Sequence, residues 1–413
     1  MTGRLLTGNA AAAWGARLAK ADYVPAFPIT PQTEIIETIS RWIEAGDMPG
    51  RMVTLESEHS MITAAGAAAA TGVRVFTATS SQGLLYAMEM IYAVPGWRVP
   101  LVLVNVSRGL AAPITLEPDH TDVMAARDSG FLQLHCATCQ EVVDSVLLAY
   151  RLAEDSRVRL PAIVNLDGFY LSFTREPVEL PEPDTVARFI KAYDPENISF
   201  RASQPVSQAA AVLGGSPYSY FRYEMHLAAL AAAEVYREVV DEFADIFGRH
   251  YAAVEAYRTE DADIVFLMLG SFATKAKDAV DRLREQDKRV GLLRPRLFRP
   301  FPVDDIVTAL AGKQAAIVID QNVSMGSGGV LHGEVAAALY ALSAARPLLL
   351  SFIGGLGGRD ISPEEFYEML RVAEAAVASG ETPPPRLLFT EDELRELHKL
   401  QAVAHVEREE LKR

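Results

Sequence analysis

A threonine held between two prolines is the first group in this sequence that could do chemistry. Residues 27–31 read Phe-Pro-Ile-Thr-Pro, and the prolines restrict the backbone on both sides of Thr30. Such a loop can present one hydroxyl oxygen to a ligand. The same pattern is typical of a turn in which Thr30 caps a helix that begins at Pro31, and the two roles are compatible.

Two carboxylates and a histidine follow in the run Glu56-Ser57-Glu58-His59, immediately before a stretch rich in alanine and glycine. The N-terminus of a helix favours negative charge, so a carboxylate placed here could serve acid–base chemistry. Simple capping of the helix accounts for the same residue types. The pattern does not distinguish a buried catalytic carboxylate from a solvated one.

Polar residues also follow two predicted strands, at the ends where parallel sheets bind ligands. Ser81 and Gln82 begin a predicted helix, where backbone amides can bind an anion or a polar ligand. Arg108 follows the next strand, and the polar segment 119–122 comes soon after it. At this edge of a sheet the Arg108 guanidinium could hold a carboxylate through two parallel hydrogen bonds, and a structural ion pair is the alternative.

The remaining candidate motifs are weaker. Cys136 and Cys139 are the two cysteines of the chain. They cannot supply the four thiolates of an iron–sulfur cluster, and we expect them to have a packing role. The glycine runs 326–329 and 354–358 do not complete a phosphate-binding motif, and tight turns explain them equally well.

The elements that must position these residues alternate between strands and helices, which is typical of a parallel sheet covered on both faces. The strands predicted in the first half are residues 73–78, 99–106 and 161–167. The helices predicted there are residues 8–20, 60–71 and 140–154. Residues 1–175 are therefore expected to form a doubly wound α/β domain.

The pattern changes after residue 175. Prolines and glycines interrupt residues 176–220, which we interpret as an extended arm that packs on another surface or subunit, with a linker as the alternative. A long amphipathic helix is predicted over 222–249, so that the arm and connecting helix occupy 176–256.

A second α/β domain is predicted over 257–382. Its expected strands are residues 264–269, 290–293 and 316–320. Its expected helices are residues 273–284, 303–310 and 330–342. A capping box of Ser362 and Glu365, with proline at the first helical position, starts a further helix. Thr390 and Glu393 begin a terminal helix within 383–413 in the same way.

Composition limits the functions that this scaffold can have. At about 150 residues per domain, the 413 residues of the chain suffice for two to three domains. No apolar run is long enough to span a bilayer and no signal-peptide pattern is present, so we expect a cytoplasmic protein without membrane association. The net charge of −15 repels nucleic-acid backbones, so we expect no nucleic-acid partner.

Taken together, these stretches resemble the alpha subunit of the 2-oxoacid:ferredoxin (acceptor) oxidoreductases, thiamine-diphosphate enzymes of the pyruvate synthase and phenylglyoxylate dehydrogenase type. The resemblance covers most of the chain. In the first domain it rests on residues 8–9, 27–33, 56–59, 81–84, 108–113, 119–120 and 126–130. In the second domain it rests on residues 270–271, 294–295, 301–302 and 355–360.

The resemblance implies a pyrimidine-binding domain for thiamine diphosphate, followed by a transketolase C-terminal-like α/β domain. It also implies a hetero-oligomer. A beta subunit would hold the diphosphate, Mg²⁺ and an iron–sulfur cluster, so that no metal site is expected on this chain. Gamma and ferredoxin-like delta subunits would complete the complex, and a further subunit could reduce NAD.

The implied reaction is oxidative decarboxylation of a 2-oxo acid with coenzyme A, which yields an acyl-CoA and CO₂ and passes electrons to iron–sulfur clusters. Glu58 matches the carboxylate that activates the cofactor through its aminopyrimidine ring, with Glu56 as the alternative. Thr30 and Arg108 match the contacts to the 2-oxo acid, in which the guanidinium pairs with the substrate carboxylate. The other residues expected at the cofactor site are Pro28, Ile29, Ser81 and Gln82.

The side chain of the 2-oxo acid stays open. Residues 114–120 depart from the pattern expected of common pyruvate enzymes, so pyruvate and an aromatic acid such as phenylglyoxylate are both retained. A noncatalytic assembly subunit of the same kind of complex is the alternative from another functional class. A nicotinamide-binding dehydrogenase does not fit, because no strand is followed by the dinucleotide glycine fingerprint.

Overall fold

Two sheets organise the chain. The computed structural model describes residues 2–195, 200, 202–208, 210–340 and 346–410. The elements of the first half are β1 (Thr2–Thr7), α1 (Gly8–Leu18), β2 (Tyr23–Ala26), α2 (Thr33–Glu44), β3 (Arg51–Thr54), α3 (Glu58–Ala69), β4 (Phe76–Thr79), α4 (Gln82–Tyr86), α5 (Met88–Ala93), β5 (Val102–Ser107), α6 (Thr121–Ala125), β6 (Leu132–His135), α7 (Cys139–Ala153), β7 (Ala162–Asp167), β8 (Arg175–Leu180) and α8 (Pro183–Ile190).

A long helix leads from the first half to the second sheet. The elements that follow α8 are α9 (Gly215–Phe247), β9 (Val254–Tyr257), β10 (Ile264–Met268), α10 (Ala273–Arg284), β11 (Val290–Pro295), β12 (Leu297–Arg299), α11 (Val303–Leu310), β13 (Ala315–Asp320), α12 (Val330–Tyr340), β14 (Leu348–Ile353), α13 (Pro363–Ser379), β15 (Arg386–Leu387) and α14 (Glu391–Glu410). No helix within the described ranges is long and apolar enough to cross a membrane.

The first sheet has the strand order β12–β6–β7–β5–β4, and a bridge between Tyr23 and Val75 continues it into the parallel pair β2–β3. Strands β4 to β7 are buried along their whole length, as parallel strands between two helix layers must be. Because these strands run in one direction, the segments that follow β2, β3, β4 and β5 meet at the same edge. This edge carries the candidate site.

The second sheet has the order β15–β14–β13–β10–β11–β9, and all its neighbours are parallel except β9 and β11. The two halves are joined directly, since β12 of the second half pairs antiparallel with β6 of the first. At the same junction the fully buried Arg294 donates to Glu141 (2.5 Å) and Glu255 (2.7 Å). Removing one member of such a buried pair leaves the other charge unpaired and typically costs about 3–5 kcal/mol of stability. The ion pairs at this junction are therefore costly to break.

Local sequence signals predicted much of the second half correctly. The predicted helices 273–284 and 303–310 match α10 and α11 at both ends, and the three predicted strands are present as β10, β11 and β13. The capping box at Ser362 is confirmed by reciprocal hydrogen bonds with Glu365. Helix α12 begins at residue 330 as predicted, while the predicted end at 342 lies outside the described residues.

The expectation of an irregular segment over 176–220 is wrong for its first part. Strand β8 pairs antiparallel with β1, and Pro183 begins α8 instead of breaking the chain. Only Val178 and Leu180 are fully buried in β8, so its apolar pattern is too weak to predict a strand. Helix α9 begins at Gly215, seven residues before the predicted start at 222.

The capping role considered for Thr30 is also wrong. Helix α2 begins at Thr33 with Gln32 at the capping position, so neither Thr30 nor Pro31 belongs to the helix start. The second sheet extends from Val254 to Leu387, slightly beyond the predicted domain 257–382 at both ends. The division into domains at the boundaries given above stays a prediction.

Candidate active site

The structure separates the two acids that the sequence left as alternatives. Glu58 is the first residue of α3 and is 4% exposed, whereas Glu56 is exposed and accepts a hydrogen bond from Ser60 Oγ (2.5 Å). Burial raises the pKa of Glu58, while the bond from Ser60 lowers the pKa of Glu56. Ser57 caps α3 through its hydroxyl, so the helix start does not need Glu58 for capping.

Gly83 lets the backbone of α4 approach the Glu58 carboxylate closely. A Cβ atom at position 83 would lie 2.5 Å from Glu58 Oε1 and 2.5 Å from Thr79 Oγ1. Both distances are too short for non-bonded atoms, so any larger residue at this position would displace one of the two side chains. Glu58, Thr79 and Gly83 therefore form one wall of the site.

Three polar side chains form the adjacent wall, and we call Ser81, Gln82 and Arg108 the polar shelf. Gln82 Oε1 accepts from Ser81 Oγ (2.7 Å) and from Arg108 Nη2 (3.3 Å). Ser81 Oγ is also within hydrogen-bond distance of the Gly109 carbonyl (2.9 Å). The shelf thus joins the ends of β4 and β5.

Several buried polar atoms around these walls have no hydrogen-bond partner in the described part of the chain. They are Thr79 Oγ1, Ser80 Oγ, Gln82 Nε2 and Arg108 Nε. A buried polar group without a partner costs about 1–3 kcal/mol, so native proteins rarely gather four of them. Thr79 Oγ1 lies with Glu58 around Gly83, and the Gln82 and Arg108 atoms belong to the polar shelf, so a polar ligand bound here would supply the missing partners.

Arg108 is a buried guanidinium at the end of β5. It is 6% exposed, and among the described residues it forms no salt bridge with a carboxylate. Burial lowers the pKa of Arg108, and the nearby Asp122 carboxylate acts in the opposite direction. The structure therefore does not contain the structural ion pair considered for Arg108.

Thr30 lies on an exposed loop that two buried amides hold in place. Asn9 Nδ2 donates to the Pro31 carbonyl (2.9 Å), and Gln32 Nε2 donates to the Phe27 carbonyl (2.8 Å). Both amide side chains are fully buried. The loop is thereby fixed at both ends, with the Thr30 side chain exposed between them.

The same loop lies next to the strand end that carries Arg108. A Cβ atom at Gly168 would be 3.1 Å from Pro31 Cγ and 2.6 Å from the Ser107 carbonyl oxygen, so all three residues meet there. Pro28 is exposed and Ile29 is half-buried on this loop. The structure thus connects Glu58 to the polar shelf through Gly83, and it places the loop of Pro28, Ile29 and Thr30 at the same edge.

Sequence reasoning missed a buried clasp between the two halves. His120 Nε2 lies 2.6 Å from Asp167 Oδ1, and Asp167 Oδ2 accepts from the backbone amide (2.7 Å) and the hydroxyl of Ser271. The His120 amide donates to the Gln321 carbonyl (2.8 Å). Burial opposes a charge on His120, but Asp167 outweighs it and raises the pKa of His120. Because the partners are far apart in the chain, no local pattern reveals this clasp.

The two cysteines have the packing environment expected of them. Both are buried, and burial raises the pKa of Cys136 to about 12 and that of Cys139 further still. Among the residues that the structure describes, no group of three or more His, Cys, Asp or Glu side chains could hold a metal ion.

The glycine run 354–358 forms a turn against the first half. Gly358 has a positive φ and its amide donates to the Pro118 carbonyl (3.0 Å), so this turn supports the loop beyond Arg108.

Comparison with known proteins gives matches along most of the chain. Residues 14–243 match the family model described as pyruvate flavodoxin/ferredoxin oxidoreductase, thiamine diphosphate-binding, and residues 262–366 match pyruvate:ferredoxin oxidoreductase core domain II. The pyruvate synthase subunit PorA of Thermotoga maritima is 42% identical over 359 residues, which is 87% of this chain and 91% of that protein. The ketoisovalerate oxidoreductase subunit VorA of Pyrococcus horikoshii is 38% identical over 378 residues, 91% of this chain and 95% of that protein.

Solved structures show the same fold. The 2-oxoglutarate:ferredoxin oxidoreductase from Magnetococcus marinus, with 2-oxoglutarate, coenzyme A and succinyl-CoA bound, superposes with a TM-score of 0.69 at 21% identity. The match covers 90% of this chain and 65% of that longer chain. A split-gene transketolase matches with a TM-score of 0.50 at 13% identity over 89% of this chain and 96% of its own. The α/β architecture predicted from the sequence is thereby confirmed.

Proposed function

This chain belongs to the pyruvate flavodoxin/ferredoxin oxidoreductase family as the alpha subunit of a 2-oxoacid:ferredoxin oxidoreductase, and we propose that its substrate is pyruvate and that Glu58 and the polar shelf form its active site. The observation that carries this proposal is a buried Glu58 carboxylate packed against Gly83, the neighbour of Gln82, whose Nε2 is an unpaired donor and whose Oε1 accepts from Arg108. These groups are the complements of an aminopyrimidine ring and of a carboxylate.

The residues around Glu58 fit the pyrimidine end of thiamine diphosphate. A buried carboxylate has acceptor oxygens to offer to a ring nitrogen, and its raised pKa suits a group that shares a proton with that nitrogen. Thr79 and Ser80 offer further partners for a polar ring, and Pro28 and Ile29 would close the site from the neighbouring loop, while Gln82, expected at the cofactor, is assigned to the substrate in this proposal. When bound, the cofactor supplies the electron sink for cleavage next to a carbonyl.

Arg108 and Gln82 would bind the carboxylate of the 2-oxo acid. Arg108 Nε and Gln82 Nε2 are buried donors without partners among the described residues, so a carboxylate would satisfy both at once. The Thr30 hydroxyl would contact the polar head of the substrate from the adjacent loop. These three roles keep the reacting carbon oriented while water is held away from the buried shelf.

Pyruvate is supported as the substrate by the names of the relatives. The relatives at 39–42% identity are pyruvate synthase subunits, and the two at 37–38% are ketoisovalerate oxidoreductase subunits. Phenylglyoxylate, the aromatic alternative, remains one arm of the test.

The rest of the reaction would take place with partner subunits. PorA and VorA are subunits, and this chain is likewise one part of a hetero-oligomer. In our proposal a beta subunit holds the diphosphate, Mg²⁺ and iron–sulfur clusters, gamma and delta subunits complete the assembly, and coenzyme A captures the acyl group. Ferredoxin accepts the electrons, with NAD reduction through a further subunit as an extension. The cytoplasmic location stays a prediction.

An exposed aromatic surface supports such an assembly. The first turns of α9 present four aromatic side chains to solvent, namely those of Tyr218, Tyr220, Phe221 and Tyr223. Exposed apolar patches of this kind are typical of protein–protein interfaces.

The proposal is tested by dye reduction with the natively purified complex, supplied with thiamine diphosphate and coenzyme A. Pyruvate, ketoisovalerate, 2-oxoglutarate and phenylglyoxylate are offered separately. We expect pyruvate to give the highest kcat/KM. A higher kcat/KM for another acid would identify that acid as the preferred substrate in place of pyruvate. No reduction with any acid, with all subunits and clusters present, would refute the enzymatic role and favour the noncatalytic assembly subunit.

A further inference from the structure

Asp122 is a fully buried carboxylate that accepts hydrogen bonds from both strand ends of the polar shelf. From the end of β4 it accepts from the Ser81 amide (2.9 Å). From β5 and the residue after it, the donors are Asn105 Nδ2 (3.1 Å), the Ser107 hydroxyl and the Arg108 amide (3.4 Å). The amide of Val123 also donates to it (2.6 Å). One side chain therefore ties together three segments.

The geometry of Ser81 shows that this tie holds the backbone in an unfavourable conformation. Ser81 has φ 49° and ψ −119°, which residues other than glycine rarely adopt, at a cost of about 1–3 kcal/mol. The bond from its amide to Asp122 and the contact of its hydroxyl with Gly109 hold it there. This conformation begins α4, and so it sets where Gln82 and Gly83 lie.

We propose that Asp122 is a positioning residue of the substrate site, whose carboxylate fixes the ends of β4 and β5 so that Gln82 and Arg108 face the same ligand. The inference rests on the proposed function, since the ligand is the carboxylate of the 2-oxo acid. Asp122 itself lies behind the shelf and contacts the backbone of Ser81 and Arg108, not their ligand-facing atoms.

The test is Asp122→Asn in the assembled complex. Asparagine keeps the shape of the side chain but replaces one acceptor oxygen with an NH₂ donor. The protein donors that bonded to that oxygen then lose their acceptor. Because the shelf binds substrate, we expect the KM for pyruvate to rise about 10–100-fold with a smaller change in kcat. The affinity for thiamine diphosphate should change less than the KM, because Glu58 and Thr79 are not bonded to Asp122 and only Gly83 of their wall follows the conformation of Ser81.

Asp144→Asn is the matched control. Asp144 is equally buried and accepts hydrogen bonds from Arg249 (2.7 Å) and Tyr251 (2.6 Å), on the α7 side of the sheet. It should lower the Tm of the complex and leave the KM for pyruvate unchanged. If both variants change KM alike, a general loss of packing explains the effect and the inference is overturned.

If the Asp122→Asn chain does not assemble into the complex, a variant with a smaller perturbation tests the same inference. Ser107→Ala removes one donor to Asp122, and we expect it to raise KM about two- to tenfold. An unchanged KM in that variant, or in an assembled Asp122→Asn complex, would overturn the inference. An inactive wild-type complex would instead refute the proposed function, so the two failures are distinguishable.

Discussion

Gly83→Ala tests the contact on which the role of Glu58 depends. Helix α4 places position 83 directly against the Glu58 carboxylate and the Thr79 hydroxyl. The added methyl group would enter space that the Glu58 carboxylate occupies, while the charge and chemistry of Glu58 stay the same. A loss of activity would therefore show that turnover depends on where the Glu58 carboxylate lies, since its chemistry is unchanged.

The size of the effect follows from the distances. The new Cβ would lie 2.5 Å from Glu58 Oε1, and ordinary contacts begin at 3.4 Å. Relief of this contact by the carboxylate alone takes a movement of about 0.9 Å, and a misplacement of about 1 Å can cost about 100-fold in rate. Overpacking costs about 1–3 kcal/mol of stability, so the Tm and assembly of the variant are measured beside its activity.

The assay is dye reduction with pyruvate by complexes assembled with wild-type chain, Gly83→Ala or Gly96→Ala. We expect kcat/KM to fall about 100-fold in Gly83→Ala. Gly96→Ala is the control, because among the residues that the structure describes no atom outside its own turn lies within 4 Å of a Cβ at that position. Wild-type kcat/KM in a fully assembled Gly83→Ala complex would refute the placement of Glu58 in the active site.

Three further variants separate the roles of neighbouring groups. Arg108→Lys should raise the KM for pyruvate about 10–100-fold, because lysine cannot donate two parallel hydrogen bonds, and an unchanged KM would contradict the role of Arg108. Glu56→Gln should leave kcat and KM within about twofold of wild type, since this exposed carboxylate bonds Ser60 outside the site, and a large loss would reopen the choice between the two acids. The pKa of His120 is raised, so its pairing with Asp167 stabilises the fold below the ordinary value of 6.5 and is lost as pH rises through the folded value. In thermal unfolding scans the Tm of wild type should therefore fall more between neutral and alkaline pH than that of His120→Asn, and equal slopes would argue against a charged pair.

Local signals account for the elements that the sequence predicted best. Helices α10 and α11 have amphipathic periods and clear ends, which depend on neighbouring residues only. The pairing of β1 with β8, and of β12 with β6, depends on residues far apart in the chain. A short strand with one or two buried residues leaves no periodic pattern from which such pairing can be predicted.

The candidate site likewise contains some residues that local sequence patterns indicate and others that they do not. Ser81, Gln82 and Arg108 were indicated because they follow predicted strands, and Thr30 because two prolines flank it. Glu58 was preferred through the family resemblance. Spacing did not decide between Glu56 and Glu58, since burial depends on what packs over α3.

The supporting residues were harder to predict still. Asp122 receives its donors from residues 81, 105–108 and 123, and Asn9 supports a loop more than twenty residues away. Such residues become visible only when distant segments are brought together.

Turnover of pyruvate by a complex carrying Glu58→Gln tests the proposed active site most directly. Glutamine keeps the size of the side chain but cannot take up the proton that a carboxylate exchanges with the aminopyrimidine ring. We expect kcat to fall about 100- to 10,000-fold, with subunit composition and Tm unchanged. Wild-type turnover by the assembled Glu58→Gln complex would contradict the assignment of Glu58 as the activating carboxylate.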